Sequence, residues 1–323
     1  MRALVIGGSG QDGVLLSANL LERGFRVVSV SRRGSPLAAV EDVRCDISVE
    51  GASDALVRSH RPDFVFHLAA HHRSSFALPP DPETEERECH SVNTRSFSEL
   101  LESVARHCPG ARTLYASSCR IFGEGDGNLL REDSTHSPVC PYGRSKTAAM
   151  RVAAHHVQSG LFVASSIHFN HESELRPPGF VSKKLALAAV AAASGAWGIV
   201  EVGSLNAVAD WGAARDHVRA MIHILEEGTP GDYIVGGGEL RSVADLASSC
   251  FSAVGLDWRD HVRESAAGFA GREWRLRGDA SKLRLLTSWR PRYDFDKMTR
   301  DLVARTQRLS DAGYDPSDFH SHL

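Results

Sequence analysis

Stretches that are apolar at every position alternate with stretches of helical length through the first half of the chain, and this constrains the fold more than any other feature. "RALVIG", "FRVVSVS", "DFVFHLAA", "RTLYASS" and "LFVASSIHF" read as strands. Between them lie "GSGQDGVLLSANLLERG", "EGASDALVRSH", "SVNTRSFSELLESVARHC" and "YGRSKTAAMRVAAHHVQSG", which read as helices. Strands without a polar face must be covered on both sides, which requires a parallel sheet with helices above and below. Right-handed crossovers then make it doubly wound.

The expected fold class is therefore α/β: a Rossmann doubly wound parallel sheet with a smaller mixed α/β C-terminal substrate lobe. After about residue 170 the alternation loosens. Pro177-Pro178-Gly179 marks a loop, and helices such as "SVADLASSCFSAVG" mix with short strands such as "DYIVGG". The division predicted is a nucleotide-binding part over 1–169 plus about 204–236, and a second lobe over about 170–203 and 237–323.

At 323 residues, 42% hydrophobic and 24% charged, the chain is ordinary for a globular protein. A net charge of −3 gives no polyanion-binding surface, so no nucleic-acid partner is expected. The apolar run from Leu185, "LALAAVAAASGAWGIV", is broken by glycine and shorter than a bilayer span. It reads as a buried helix followed by a strand, so no membrane partner is expected. The apolar part of the N-terminus is brief and no cleavage pattern follows, so the expected location is cytoplasmic. The six cysteines contain no Cys-x-x-Cys pair, and none of the adjacent histidines among the sixteen has an acid at ligand spacing. No metal site and no disulfide framework are predicted.

Gly7, Gly10 and Gly13 follow the first strand and open a helix. They supply a tight turn, close backbone approach to a pyrophosphate and close helix packing, with the helix N-terminus facing the anion. An NAD site calls for an acid at the end of the second strand. This chain has Arg32 and Arg33 there, a pair suited to a 2′-phosphate, so the cofactor expected is NADP. Asp46 and Ile47 are placed to meet the adenine, and Leu68, Ala69 and Ala70 to line the pyrophosphate path.

Tyr142 and Lys146 are spaced to project from one helix face a turn apart. A tyrosine beside an ammonium and a cationic nicotinamide is a general acid/base for a sugar hydroxyl. Ser118, ending a neighbouring strand, can hydrogen-bond the same oxygen. These three residues are the candidate catalytic set.

With these motifs in place the chain resembles the extended short-chain dehydrogenase/reductases, most closely the GDP-mannose 4,6-dehydratases. The resemblance rests on "GGSGQDG" (Gly7 to Gly13), "SRRGS", "HLAA", "PYGRSK", "FNHES", "FVSKKL", "DWGAARDHV" and "GDASKLRLLTSWRPR". It implies NADP held by the arginine pair, by the turn containing Gln11 and Asp12, and by His171 and Arg176, with Tyr142 and Lys146 also touching the cofactor. It implies a nucleoside-diphosphate sugar oxidised transiently at C4, with Asn170, Glu172, Lys183, Lys184 and Arg272 toward the substrate. It also implies a homodimer or higher homo-oligomer, through the helices containing "SVNTRSFSELLESVARHC" and "YGRSKTAAMRVAAHHVQSG".

Three departures from that family matter. Its Ser-Thr-Ser-Glu corner reads Ser117-Ser118-Cys119-Arg120 here. The family's glutamate serves the elimination of water, and a guanidinium is not a base near neutral pH. Cys119 and Arg120 are thus possible modifiers of the chemistry; Cys119 is a weak acid/base or a small space-filling residue. Val208-Ala209 stand where the family has Lys-Arg, and "ALPPDPETEERECH" (Ala77 to His90) is longer and more acidic than the matching loop. The expected function is an NADP-dependent nucleotide-sugar enzyme working through a 4-keto intermediate without dehydration, as a C4 epimerase or a 4-keto reductase. The alternatives are a 4,6-dehydratase with a substitute for the glutamate, and an inactive NADP-binding protein.

Overall fold

A computed structural model describes residues 1–72, 81–196, 198–265 and 274–313. β1 (Arg2–Ile6) runs through a glycine turn into α1 (Gln11–Glu22), followed by β2 (Arg26–Ser31), β3 (Glu41–Arg44) and α2 (Ala52–His60). Next come β4 (Phe64–His67), α3 (Pro82–Cys89), a π-helical turn His90–Arg95, α4 (Ser96–His107) and β5 (Arg112–Ser118). A 3-10 turn Cys119–Phe122 and β6 (Leu129–Leu130) lead to α5 (Pro141–Gln158) and β7 (Val163–His168). The remainder comprises β8 (Asn170–Glu172), α6 (Val181–Ala193), β9 (Val200–Val202), β10 (Val208–Ala209), β11 (Trp211–Ala213) and α7 (Ala214–Glu227). It ends with β12 (Gly231–Val235), β13 (Arg241–Ser242), α8 (Val243–Ser252), β14 (Val262–Glu264), β15 (Arg277–Gly278), α9 (Ser281–Leu286) and α10 (Phe295–Asp311).

Seven strands form one parallel sheet in the order β12-β7-β5-β4-β1-β2-β3. The uniformly apolar strands have the reason expected. Leu4 and Ile6 pack into the cluster on one face of the sheet, Ala3 and Val5 into the cluster on the other. Connections leave β1 toward β2 on one side and reach β4 on the other, so a crevice opens at the carboxyl ends where the order reverses. A third apolar cluster joins α6, α8 and α10 through Leu185, Ala189, Leu246, Phe251 and Leu302.

Two local readings need correction. The acidic "ALPPDPETEERECH" reads as a loop, but its described part, from Asp81, forms α3. Asp81 accepts the Thr84 N–H at 3.0 Å and Pro82 fills the first turn. Asp-Pro ahead of glutamates is a helix-start signal that the acidic composition obscures. "SVNTR" is π-helical rather than a plain extension of α4. Among the described residues, no helix is long and apolar enough to cross a membrane.

Candidate active site

The carboxyl edge of the sheet opens into a cleft of 510 Å³, lined among others by Ser118, Tyr142 and Lys146. Ser118 ends β5. Tyr142 enters at the first turn of α5, whose start is fixed by Pro141 and by the Cys140 Sγ accepting the Gly143 N–H. Lys146, one turn on, is 1% exposed. Its Nζ donates to the Ala116 carbonyl at 2.7 Å and lies 5.5 Å from the Tyr142 ring centre. Burial pushes the Lys146 ammonium down to about 7.

Burial acts on Tyr142 in the opposite sense, raising its phenol above the ordinary value, while a hydrogen bond with Ser118 and the charges of Arg120 and Arg176 pull it down. Within the protein alone the phenol therefore stays protonated. The ammonium is itself weakened by the burial that holds it in place.

Two features, one beside the cleft and one in it, escaped the sequence reading. Asn93, fully buried in the π-helical turn, donates to Ser145 Oγ at 2.9 Å and accepts the His71 N–H at 2.8 Å. It ties the segment after β4 to α5, and a π-turn inside a helix is a common mark of a functional site. The other is His72, whose ring meets Tyr142 edge-on at 4.7 Å and stacks with Phe180 at 6.0 Å. It faces the cleft. His72 is exposed at the cleft, and the charges of Arg176, Arg120 and Lys146 push its imidazole below its ordinary value, so it is neutral at physiological pH. Nothing local in "HLAAHH" distinguishes it from His71.

Arg120 also lines the cleft, with its guanidinium 3.5 Å from the Trp274 ring centre. Its Nη1 is closed off from solvent without a hydrogen-bond partner. Cys119 is 5% exposed, and burial pushes its thiol up to about 11, which leaves it protonated at neutral pH. Val208 and Ala209 line the cleft as apolar surface.

The turn after β1 fits a dinucleotide. Gly7 has φ +94°, and a Cβ there would lie 2.6 Å from the Ala69 nitrogen, so only glycine lets the turn approach "HLAA" this closely. Gly10 caps α1, whose free N–H groups face the same edge. A Cβ on Gly13 would meet the Gly7 carbonyl at 2.2 Å. Arg32 is exposed and Arg33 half-buried, and among the described residues neither has an ion-pair partner. Burial and the Arg32 charge both weaken Arg33's hold on its proton, so two adjacent cations await an anion.

Other predicted positions are placed differently. Ile47 is 6% exposed and packs into the core, and the Asp46 carboxylate accepts the N–H and hydroxyl of Ser48 at 2.9 and 2.7 Å. Any adenine contact from Ile47 falls to its backbone. Leu68 and Ala70 line the cleft, while the Ala69 N–H is used by the Ile6 carbonyl at 2.9 Å. Gln11 is occupied within the protein, donating to Asp12 and to the His171 carbonyl at 3.2 Å each and accepting from Ser173 at 2.9 Å. Asp12 and His171 form an ion pair at 2.9 Å.

Of the substrate candidates, Asn170 and Glu172 line the cleft. The Glu172 carboxylate is held by the Ser182 hydroxyl at 2.5 Å and by Arg176 at 3.3 Å. Arg176 in turn lies over the Phe180 ring at 4.1 Å. Lys183 does not reach the cleft: it is 2% exposed and its Nζ donates to the Glu174 carbonyl at 2.8 Å and Thr306 Oγ1 at 3.2 Å. Lys184 donates to the Glu201 carbonyl at 2.6 Å, also outside the cleft lining. On α6 both ammonium groups pin chain segments together. Arg272 lies outside the described residues.

His168, His171 and His217 come together with ring nitrogens within 4.8 Å of one another. His168 bonds Ser166 at 2.7 Å and His217 at 2.9 Å, while His171 bonds Phe169's carbonyl at 2.7 Å as well as Asp12. Both nitrogens of His168 and His171 thus have protein partners, and the rings of His171 and His217 stack at 4.4 Å rather than converging on a point.

A doubly wound sheet with a glycine turn at β1 and a Ser, Tyr, Lys corner at β5 and α5 defines a short-chain dehydrogenase/reductase of the extended, nucleotide-sugar kind. The chain belongs to the GDP-mannose 4,6 dehydratase family, whose model matches residues 4–302. It is 31% identical over 344 aligned residues to GDP-mannose 4,6 dehydratase 1 of Arabidopsis thaliana, covering 97% of this chain and 93% of the relative. The fold matches Thermus thermophilus UDP-glucose 4-epimerase in complex with NAD at a TM-score of 0.80 and 24% identity, covering 95% of this chain and 99% of that one. It also matches RMD of Pseudomonas aeruginosa complexed with NADPH, at 0.79 and 20% identity, over 95% and 99% of the two chains. The chain is thus an enzyme of a nucleotide-sugar dehydratase and epimerase family.

Proposed function

We propose that this protein is an NADP-dependent enzyme that inverts or reduces a nucleotide-linked sugar at C4 without expelling water. The observation that carries the reading is Arg120, a guanidinium stacked on Trp274 at the end of β5, where the family's eliminating members need a base. Three carboxylates also line the cleft, Asp12, Glu85 and Glu172; Asp12 is engaged with His171, Glu172 with Ser182 and Arg176, and Glu85 belongs to α3 rather than to the end of β5. The groups for C4 oxidation are present. With the cationic nicotinamide ring and the Lys146 ammonium favouring its phenolate, Tyr142 would take the proton of the C4 hydroxyl and return it, and Ser118 would hold the same oxygen. The nicotinamide, when bound, supplies reversible hydride acceptance; Gly7, Gly10, Gly13 and α1 would hold its pyrophosphate, and Arg32 and Arg33 a 2′-phosphate. Cytoplasmic placement, pairing of copies through α4 and α5, and the lobe division at about residues 170, 204 and 237 belong to the same reading.

His72 supports a second reading. A neutral imidazole beside Tyr142 is a base in the cleft that could substitute for the missing carboxylate, and would make the protein a dehydratase like its sequence relatives. Incubation with NADP and a panel of GDP-, UDP- and ADP-linked sugars in heavy water separates the readings by mass spectrometry. A new chromatographic species of unchanged mass supports C4 inversion. Loss of water sinks that reading, and its disappearance in His72→Gln would assign the base. A 4-keto sugar converted only while NADPH is consumed marks a reductase.

A further inference from the structure

Arg120 is a cation with no ion-pair partner among the described residues. Its guanidinium carbon lies over the Trp274 ring at 3.5 Å from the centre, and Nη1 is sealed from water with no hydrogen-bond partner. No carboxylate pairs with it among the described residues. Arg176, the other arginine lining the cleft among the described residues, also lies over an aromatic ring, Phe180 at 4.1 Å, and also has a buried nitrogen, Nε, without a hydrogen bond, but it has a carboxylate, Glu172, within ion-pair distance at 3.3 Å. Burying an unpaired guanidinium is costly unless a ligand anion completes it. Nη1 is closed to a ligand as it is to water, but Arg120 is only half-buried and lines the cleft, so the rest of its guanidinium edge is left for a planar acceptor, and the carboxylate is the matching shape.

The location narrows the ligand further. Arg120 follows Ser118 by two residues, its backbone N–H donates to Ser118 Oγ at 3.3 Å, and its charge acts on Tyr142. It therefore stands beside the sugar carbon that Ser118 and Tyr142 address. The surface that Val208 and Ala209 add to the cleft is apolar and offers an anion nothing. We propose that Arg120 recognises a carboxylate carried on the sugar ring next to the reacting carbon, so that the substrate is a nucleotide-linked uronic acid rather than a neutral hexose. This rests on the nucleotide-sugar reading above and specifies its substrate class. The same residue explains why a base was lost at this position: a carboxylate side chain there would repel a carboxylate on the substrate.

The test is calorimetric binding of matched pairs, UDP-glucose against UDP-glucuronate and GDP-mannose against GDP-mannuronate, with UDP and GDP alone as references. Turnover at C4 is followed separately by chromatography. The acid of at least one pair should bind at least about tenfold more tightly than its neutral partner, and Arg120→Gln should remove that preference. Arg120→Lys, which keeps the charge but not the fork, should restore part of it; thermal melts of both variants identify a folding defect. Equal affinities within every pair, or no acid bound at all, would overturn the proposal. So would an Arg120→Gln loss that is as large for UDP or GDP alone, since the arginine would then serve the diphosphate. Acid-selective binding without C4 turnover would leave this inference standing and remove the epimerase reading. C4 turnover of neutral sugars only would do the reverse.

Discussion

Asp12 and His171, 159 residues apart in the chain, meet as an ion pair at 2.9 Å and join the first turn of α1 to β8. Burial opposes both charges. The charge and hydrogen bond of His171 outweigh it at Asp12, which is held well below the usual carboxylate range, and Asp12 outweighs it at His171, which is raised. The stability from Asp12 is present above its unfolded value, about 4, and is lost as acid protonates it in the folded state. The stability from His171 is present below its unfolded value, about 6.5, and is lost as pH rises through its raised folded value. The two describe one interaction, complete between those limits. Asp12→Asn should cost about 2 kcal/mol at pH 6 and clearly less at pH 9. Thermal melts across that range check it, and a pH-independent cost would remove the ion pair from the account.

Tyr142→Phe should leave the melting temperature nearly unchanged, because the phenol oxygen's main neighbour is Ser118 at an open cleft. It should lower the rate of C4 oxidation by about a hundredfold or more. The readout is the nicotinamide absorbance in a single turnover. Full activity in the variant would strip Tyr142 of its acid/base role.

Arg32 and Arg33 end β2 without ion-pair partners among the described residues. Replacing either with alanine should weaken NADPH binding by about tenfold or more and leave NADH within about twofold. Fluorescence titration of both cofactors measures this. Equal losses for NADH and NADPH would count against a 2′-phosphate role.

Lys183→Met tests the reassignment of that lysine from substrate to framework. Its ammonium, pushed down to about 8 by burial, bridges Glu174 and Thr306. The variant should lose about 1 kcal/mol of stability, since two acceptors lose their donor while a buried charge is removed. KM should stay within about twofold. A large rise in KM without a change in stability would return Lys183 to the substrate site.

Arg120→Glu restores a carboxylate at the end of β5. The variant should release a product lighter by one water from a neutral nucleotide hexose, detected by mass spectrometry. No dehydration in a folded, cofactor-binding variant would mean that other cleft residues had also to change.

The parallel, doubly wound sheet and the glycine turn were readable from sequence because each rests on local periodicity. Strands apolar at every position demand two covered faces, and glycines after a strand demand a close turn. Ser118, Tyr142 and Lys146 were readable for the same reason, since a strand end and one helical turn fix their directions. The short-range signal in "DPETEE" was present, but acidic composition masked it.

Other features were decided by contacts across long stretches of chain. Sequence could not tell Lys183 from Lys184 or a cleft lysine, because burial against α10 depends on packing. It could not pair Asp12 with His171, gather His168, His171 and His217, or set His72 against Tyr142. Arg120 shows the division most clearly. The sequence alone determined that a base was missing there. That the guanidinium lies against Trp274, with Nη1 unpartnered and shut from water, was decided only when β5 met the segment leading to β15, because solvation and pairing of a charge belong to the folded surroundings.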